Sequence, residues 1–300
     1  MADSVGIVGV GAMGSAIARR LLQAGYDVVG YDVREDYLAD LEGWGGRRAD
    51  SPRAVAEATD RVLLSLPSHE AFLDVTLGAE GIVQAARPGV VVMDTSTLDF
   101  DVKGTGRDGL ATQGMTLLDC SVSGTPPMCL VNEMVLFASG DEAAYERVAD
   151  VFRAFTPEHR FLGEFGNGSR MKYVINFLVC INNAASAEAL AYATKLGLDA
   201  ALVYDVVSGS FGASKVWDRR AKLMVEGDYE SSRNTYNIAR KDAEVFVAHG
   251  KRAGTYTPIF FSALQMHQSG IAQGLYDIDP ASLFEVYRRA SGQTSLLDDK

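Results

Sequence analysis

The chain has 300 residues, 47% apolar and 22% charged, with 39 acidic against 28 basic side chains and a formal charge of −11. That composition is globular and long enough for two domains, and it excludes disordered and low-complexity classes. An acidic balance without a basic run argues against nucleic acid and anionic membrane surfaces as partners, and no uninterrupted apolar stretch approaches the ~18 residues of a transmembrane helix.

Short Val/Leu/Ile-rich runs open the chain: Val5–Val8, Val28–Tyr31, Val62–Leu66, Val90–Met93, Thr116–Asp119 and Met134–Ala138. Amphipathic stretches such as Ala12–Ala24 and Ser51–Ala58 lie between them. The alternation predicts βαβ units and an α/β, doubly wound, mostly parallel sheet over residues 1–164. From Ser169 to Leu196 there is neither Gly nor Pro, and apolar residues cover most of the helical wheel, which predicts a long, mostly buried helix. The segments that follow, Ala200–Ser208, Ser214–Val225, Ile238–Ala253, Pro258–Gly270 and Ala281–Ala290, are helical in period and broken by Gly or Pro. Residues 165–300 therefore read as an all-α domain. Its long apolar helix predicts a homodimer or homotetramer.

Gly9-Val10-Gly11-Ala12-Met13-Gly14 follows the first strand and opens a helix. The first glycine permits a tight turn and the second lets backbone approach a pyrophosphate. The third permits close helix–strand packing, while the free N–H groups of the helix N-terminus face the anion. Asp32 ends the second strand, where a carboxylate accepts from an adenosine ribose and repels a 2′-phosphate. This pattern predicts NAD, with NADP kept open by Arg34 two residues on. Ser65-Leu66-Pro67-Ser68 and Asp94-Thr95-Ser96-Thr97 fall at further strand ends, where ligands bind in such sheets. Cys120, Cys129 and Cys180 form no Cys-x-x-Cys pair and read as reduced thiols. With no leader-like apolar run at the start, they predict a cytoplasmic protein. His69, His159, His249 and His267 are scattered and predict no metal site, and no Gly-x-Ser-x-Gly elbow is present.

These motifs together resemble the short β-hydroxyacid dehydrogenases, the group of 3-hydroxyisobutyrate dehydrogenase and tartronate semialdehyde reductase, related to 6-phosphogluconate dehydrogenase. The resemblance runs through Val8–Gly14 with Leu22–Tyr26, Asp94–Thr97, Asp119–Thr125, Gly166–Lys172 with Asn176, and Lys241-Asp242. It implies hydride transfer between NAD(P) and the hydroxyl or carbonyl carbon of a small carboxylate. It further implies cofactor contacts at Leu66, Pro67, Ser96, Thr97 and Lys241, and substrate carboxylate binding by Ser123, Gly124 and Thr125. Lys172 would be the general acid/base and Asn176 would hold the substrate. Lys172 and Asn176 stand i,i+4 on one helix face, and burial near a helix N-terminus would favour the neutral amine.

Three departures bear on substrate. Thr125 replaces the second glycine of the family's loop and is followed by Pro126-Pro127-Met128, Cys120-Ser121 replaces Ala-Pro, and Ile175 replaces the first of two asparagines. They predict a stiffer, more apolar pocket wall suited to a bulkier or less polar β-hydroxy acid. Two other readings compete. Imine reductases share the architecture but generally lack the lysine, and a non-catalytic dinucleotide-binding protein would not need Lys172, Asn176 and Ser123 together.

Overall fold

A computed structural model describes residues 3–230 and 235–297. The chain divides into two compact units, one up to Tyr173 and one from Val174 onward. In the first, β1 (Ser4–Val8), α1 (Ala12–Gln23), β2 (Asp27–Tyr31), α2 (Glu35–Gly43), β3 (Arg47–Arg48), α3 (Pro52–Ala58) and β4 (Arg61–Leu64) follow in order. Then come α4 (His69–Leu77), β5 (Val91–Asp94), α5 (Phe100–Ala111), β6 (Thr116–Ser123), α6 (Pro126–Leu130), β7 (Val135–Ser139), α7 (Glu142–Phe155) and β8 (Glu158–Phe161). The sheet order is β3-β2-β1-β4-β5-β6-β7-β8, with only the β6–β7 pair antiparallel. The order reverses at β1, so a crevice opens at the carboxyl ends of β1 and β4.

Each sheet face carries its own core. Ile7, Ile17, Leu21, Val148 and Phe152 pack on one side, and Val55, Phe72, Val92 and Leu110 on the other. Burial on both faces explains why the central strands are continuous Val/Leu/Ile runs. The predicted strands hold to within two residues at most ends. β6 is the exception: it runs on to Ser123 because β7 pairs antiparallel with its second half, from Asp119 to Ser123. Two strands escape the hydrophobic pattern altogether. β3 and β8 are sheet edges rich in Arg, Glu and His, and charge on an edge strand discourages pairing with another chain.

The strongest electrostatic feature of this unit is buried. Lys103 of α5 is fully enclosed, its Nζ 3.0 Å from Asp94 Oδ2 on β5 and 2.8 Å from Asp119 Oδ1 on β6. Burial alone favours the neutral amine, yet Asp119 and Asp94 outweigh it and raise the Lys103 pKa above its ordinary value. Desolvation pushes the Asp94 carboxyl upward against the pull of Lys103.

The second unit is helical: the body of α8 (Asn167–Lys195), α9 (Ala200–Ser208), α10 (Lys215–Glu226), α11 (Tyr236–Arg252), α12 (Pro258–Ala272) and α13 (Leu283–Ala290). Its core gathers Ala187, Leu190, Trp217, Tyr236, Leu283 and Phe284. α8 corrects the expectation of a mostly buried helix. Only 33% of its most apolar stretch is buried, and Val174 and Leu178 are more than half exposed, because the core takes just the Ala184–Ala187–Leu190 face. By length and mean hydropathy α8 alone among the described residues could cross a bilayer. Its inner face is nevertheless protein interior, since Asn183 donates to the Pro280 carbonyl at 2.9 Å.

Replacing Lys103 strands two carboxylates in a dry core. Lys103→Met should cost about 3–5 kcal/mol in urea denaturation at neutral pH. The deficit should shrink on acidification, as the folded variant takes up a proton on Asp94 more readily than the unfolded chain. A loss below about 1 kcal/mol at neutral pH would show that the ion pair is not what holds β5, β6 and α5 together.

Candidate active site

The turn from β1 to α1 is built as a glycine loop requires. Gly9 has φ +90°, and a Cβ there would stand 2.3 Å from the Ser65 carbonyl oxygen. At Gly14 a Cβ would meet the Gly9 carbonyl oxygen at 1.9 Å, so this glycine is fixed by helix–loop packing. Gly11 differs. The nearest atom to a Cβ at Gly11 is 3.9 Å away on Tyr37, which leaves its outer side open.

Gly11 caps α1 without a side-chain hydrogen bond, whereas α3, α4, α5 and α7 each have a Ser or Asp cap. The first N–H groups of α1 are thus left for an external acceptor, and the open side of Gly11 gives it access. This cradle fits a dinucleotide pyrophosphate. Ala12 is exposed in the first turn, while the Met13 side chain packs against the core, so Met13 can offer only backbone.

Asp32 accepts from Val10 N–H at 2.7 Å and from Arg34 N–H at 3.0 Å. The expected ribose acceptor therefore also braces the glycine loop. From β1 the hydrogen bonds step across the sheet. Ser65 N–H donates to Val8, Thr95 N–H to Leu64, and Leu66 N–H to Ser96 Oγ at 2.8 Å. Ser96 is buried, its hydroxyl oxygen accepting from Leu66 N–H while its hydroxyl donates to Asp94; Leu66 has no free N–H to offer, and Pro67 is exposed. Thr97 follows Ser96 at the same strand end, half-buried.

Lys172 is 9% exposed, in the second turn of α8. That helix start is pinned. Ser169 donates to Asp119 twice, from N–H at 2.7 Å and from Oγ at 2.8 Å, and Gly168 N–H donates to Ser139 Oγ at 3.0 Å. A Cβ at Gly168 would press to 2.5 Å from the Phe137 carbonyl oxygen, so only glycine lets the helix seat on the sheet. On the other side of Lys172, Tyr173 OH donates to the Leu98 carbonyl at 2.6 Å. Lys172 is thus held between an anchor on β6 and an anchor on the loop that carries Ser96 and Thr97. Ser123, Gly124 (φ +148°) and Thr125 end the neighbouring strand β6 at the same edge, and Thr125 begins α6 without a cap bond.

Asn176 lies one turn beyond Lys172 along α8. In the second unit its Nδ2 donates to Asp242 Oδ2 at 3.2 Å, and Lys241 Nζ lies 3.3 Å from Asp242 Oδ1. Asp242 thus links two residues expected to act separately. The sequence offered no reason to single out Lys103 or Tyr173, which lie outside every motif, and it gave Ser169 no role of its own within Gly166–Lys172.

Residues 4–163 match the family model described as NAD binding domain of 6-phosphogluconate dehydrogenase, and 166–299 the one described as NAD-binding of NADP-dependent 3-hydroxyisobutyrate dehydrogenase. The L-threonate dehydrogenase of Cupriavidus necator is 29% identical over 288 residues, 96% of this chain and 97% of that protein. The crystal structure of 3-hydroxyisobutyrate dehydrogenase from Salmonella typhimurium superposes with a TM-score of 0.84 at 29% identity, covering 95% of this chain and 99% of that one. An imine reductase of Streptomyces aurantiacus is more distant, with a TM-score of 0.62 at 25% identity over 95% of this chain and 99% of its own.

The loop geometry separates two glycines by consequence. Gly11→Val should leave the melting temperature within about 2 °C of wild type while weakening nicotinamide dinucleotide binding at least about tenfold. Gly14→Val should destabilise the fold itself. Equal loss of stability in both variants would remove the assignment of Gly11 to ligand access.

Proposed function

The chain belongs to the β-hydroxyacid dehydrogenases, a family of nicotinamide-dependent oxidoreductases, and we propose that it oxidises or forms the hydroxyl of a small β-hydroxy acid with Lys172 as the proton-transferring group. One observation carries this reading: Lys172 is buried between its two anchors, Ser169 on Asp119 and Tyr173 on Leu98. A lysine so enclosed is not a solvating surface charge.

When bound, the nicotinamide supplies or accepts the hydride. In oxidation, neutral Lys172 Nζ takes the proton of the substrate hydroxyl; in reduction, its ammonium returns a proton to the developing alkoxide oxygen. Ser96 and Thr97 would approach the nicotinamide at the end of β5, and Ser123 with the Gly124 backbone would hold the substrate carboxylate. Asn176, oriented by Asp242, would bind the substrate hydroxyl, and Lys241 would contact the cofactor as the resemblance implies. Pro126 and Pro127, which open α6 beside Thr125, would stiffen the wall there and favour a bulkier or less polar acid than 3-hydroxyisobutyrate, whereas Met128 packs against the core. The three free cysteines fit a cytoplasmic enzyme.

A 340 nm assay with NAD and NADP against a panel of β-hydroxy acids, L-threonate and 3-hydroxyisobutyrate included, tests the reading. Lys172→Ala should lose at least about a thousandfold in kcat while binding cofactor normally. Undiminished turnover in that variant would sink Lys172 as the acid/base, and cofactor binding without turnover of any acid would move the assignment toward C=N reduction.

We also infer self-association through the helical unit. α9 buries none of its residues although Leu202 and Val206 are apolar, and Tyr192 and Leu196 at the end of α8 are more than 60% exposed. Sedimentation velocity at micromolar concentration should show a dimer or tetramer; a monomer would refute it.

A further inference from the structure

NAD and NADP differ at the adenosine 2′ position, a hydroxyl in one and a phosphate in the other, and the residues just after the second strand meet that position in a glycine-loop fold. Resting on the cofactor site proposed above, the question is what the cation there is free to do. Arg34 caps the start of α2, and a guanidinium at this place is suited to a phosphate by charge and by its planar fork of donors.

In this chain the fork is engaged. Arg34 Nε donates to Asp36 Oδ1 at 3.0 Å and Nη2 donates to Asp36 Oδ2, so the carboxylate takes the edge of the guanidinium that a phosphate would use. Nη1 donates to Tyr37 OH at 3.1 Å, and the guanidinium carbon lies 4.2 Å from the centre of the Tyr37 ring, which fixes its plane. The hydrogen bonds from Arg34 hold the Asp36 carboxyl below its usual range, so it is ionised at neutral pH.

The charges around this pair point the same way. Asp32 is fixed by the N–H groups of Val10 and Arg34. Arg48, on the strand paired with β2, donates to Glu35 at 2.6 Å. Asp32, Glu35 and Asp36 thus set three carboxylates against the two guanidiniums of Arg34 and Arg48. A 2′-phosphate would have to displace one carboxylate and settle beside another. A 2′-hydroxyl needs only an acceptor, and each oxygen of Asp32 keeps a lone pair beyond its backbone bond.

We propose that this protein is selective for NAD and that Asp36 is a specificity-determining residue, because it occupies the Arg34 guanidinium that would otherwise receive the 2′-phosphate of NADP. The pair is exposed, with side-chain accessibilities of 57% and 59%, and contributes little to folding. Discrimination does not need it to: specificity is a difference between two affinities, and an element that repels the wrong ligand serves as well as one that attracts the right one.

Titration of the reduced cofactors by nicotinamide fluorescence tests this without any substrate. Wild type should bind NADH at least about tenfold more tightly than NADPH. Asp36→Asn should tighten NADPH by about five- to tenfold and leave NADH within about twofold, and adding Arg34→Ala should abolish the gain, since the two side chains are in contact and couple. Equal binding of both cofactors by wild type overturns the proposal, as does an NADH/NADPH ratio unmoved by Asp36→Asn; either result leaves the dehydrogenase reading standing. Binding of neither cofactor overturns both.

Discussion

A lysine with no access to water, set between two equally buried aspartates, is the constraint around which the first unit is arranged. Lys103 joins α5 to β5 and β6, and Asp119 passes that anchorage on by accepting twice from Ser169 at the start of α8. A buried ion pair of this kind adds little net stability compared with a well-packed apolar core, because desolvation cancels most of the attraction. What it does fix is geometry. Each charge must have its partner within hydrogen-bond reach, so the strands and two helices that carry them have one acceptable arrangement. The residues of the proposed chemistry, Ser96, Thr97 and Lys172, all sit within a few positions of this network.

The unit handles its helix ends in two ways. Where a helix has a structural task, its first N–H groups are consumed internally: Ser51, Ser68, Asp99 and Asp141 cap α3, α4, α5 and α7, and Ser139 with Asp119 receives the start of α8. Among the described helices of this unit, α1 alone combines an uncapped end with a glycine loop open on its outer side. An unsatisfied helix terminus beside a sheet switch point is where an anionic ligand gains most. Function and stability are thereby assigned to different helix ends of the same sheet.

Much of this is legible in the amino-acid sequence. The glycine spacing, the alternation of apolar runs with amphipathic stretches, and Lys172 with Asn176 one turn on are local patterns, and local patterns survive folding. What could not be read depends on partners far apart in the chain. Lys103 looks like any lysine on an amphipathic helix, and only the approach of Asp94 and Asp119 makes it a core residue. Likewise Tyr173 owes its importance to a carbonyl 75 positions away. The edge strands β3 and β8 were missed because an edge needs charge where a central strand needs Val and Leu. For α8, all-round hydrophobicity was read as burial, although one chain offers core to only one of its faces.

The brace between Asp32 and the glycine loop has a thermodynamic consequence for exchange of the dinucleotide. Gly9 and Val10 are held by β2 through the Gly9 N–H bond to Tyr31 and the Val10 N–H bond to Asp32, bonds that the protein makes within itself. Ordering a loop residue costs about 1–2 kcal/mol of backbone entropy. Here that ordering is completed at folding, so an arriving dinucleotide loses its own freedom but does not have to freeze the loop as well. Departure is correspondingly simple: the loop need not melt for the ligand to leave, and each turnover begins from the same ordered cradle.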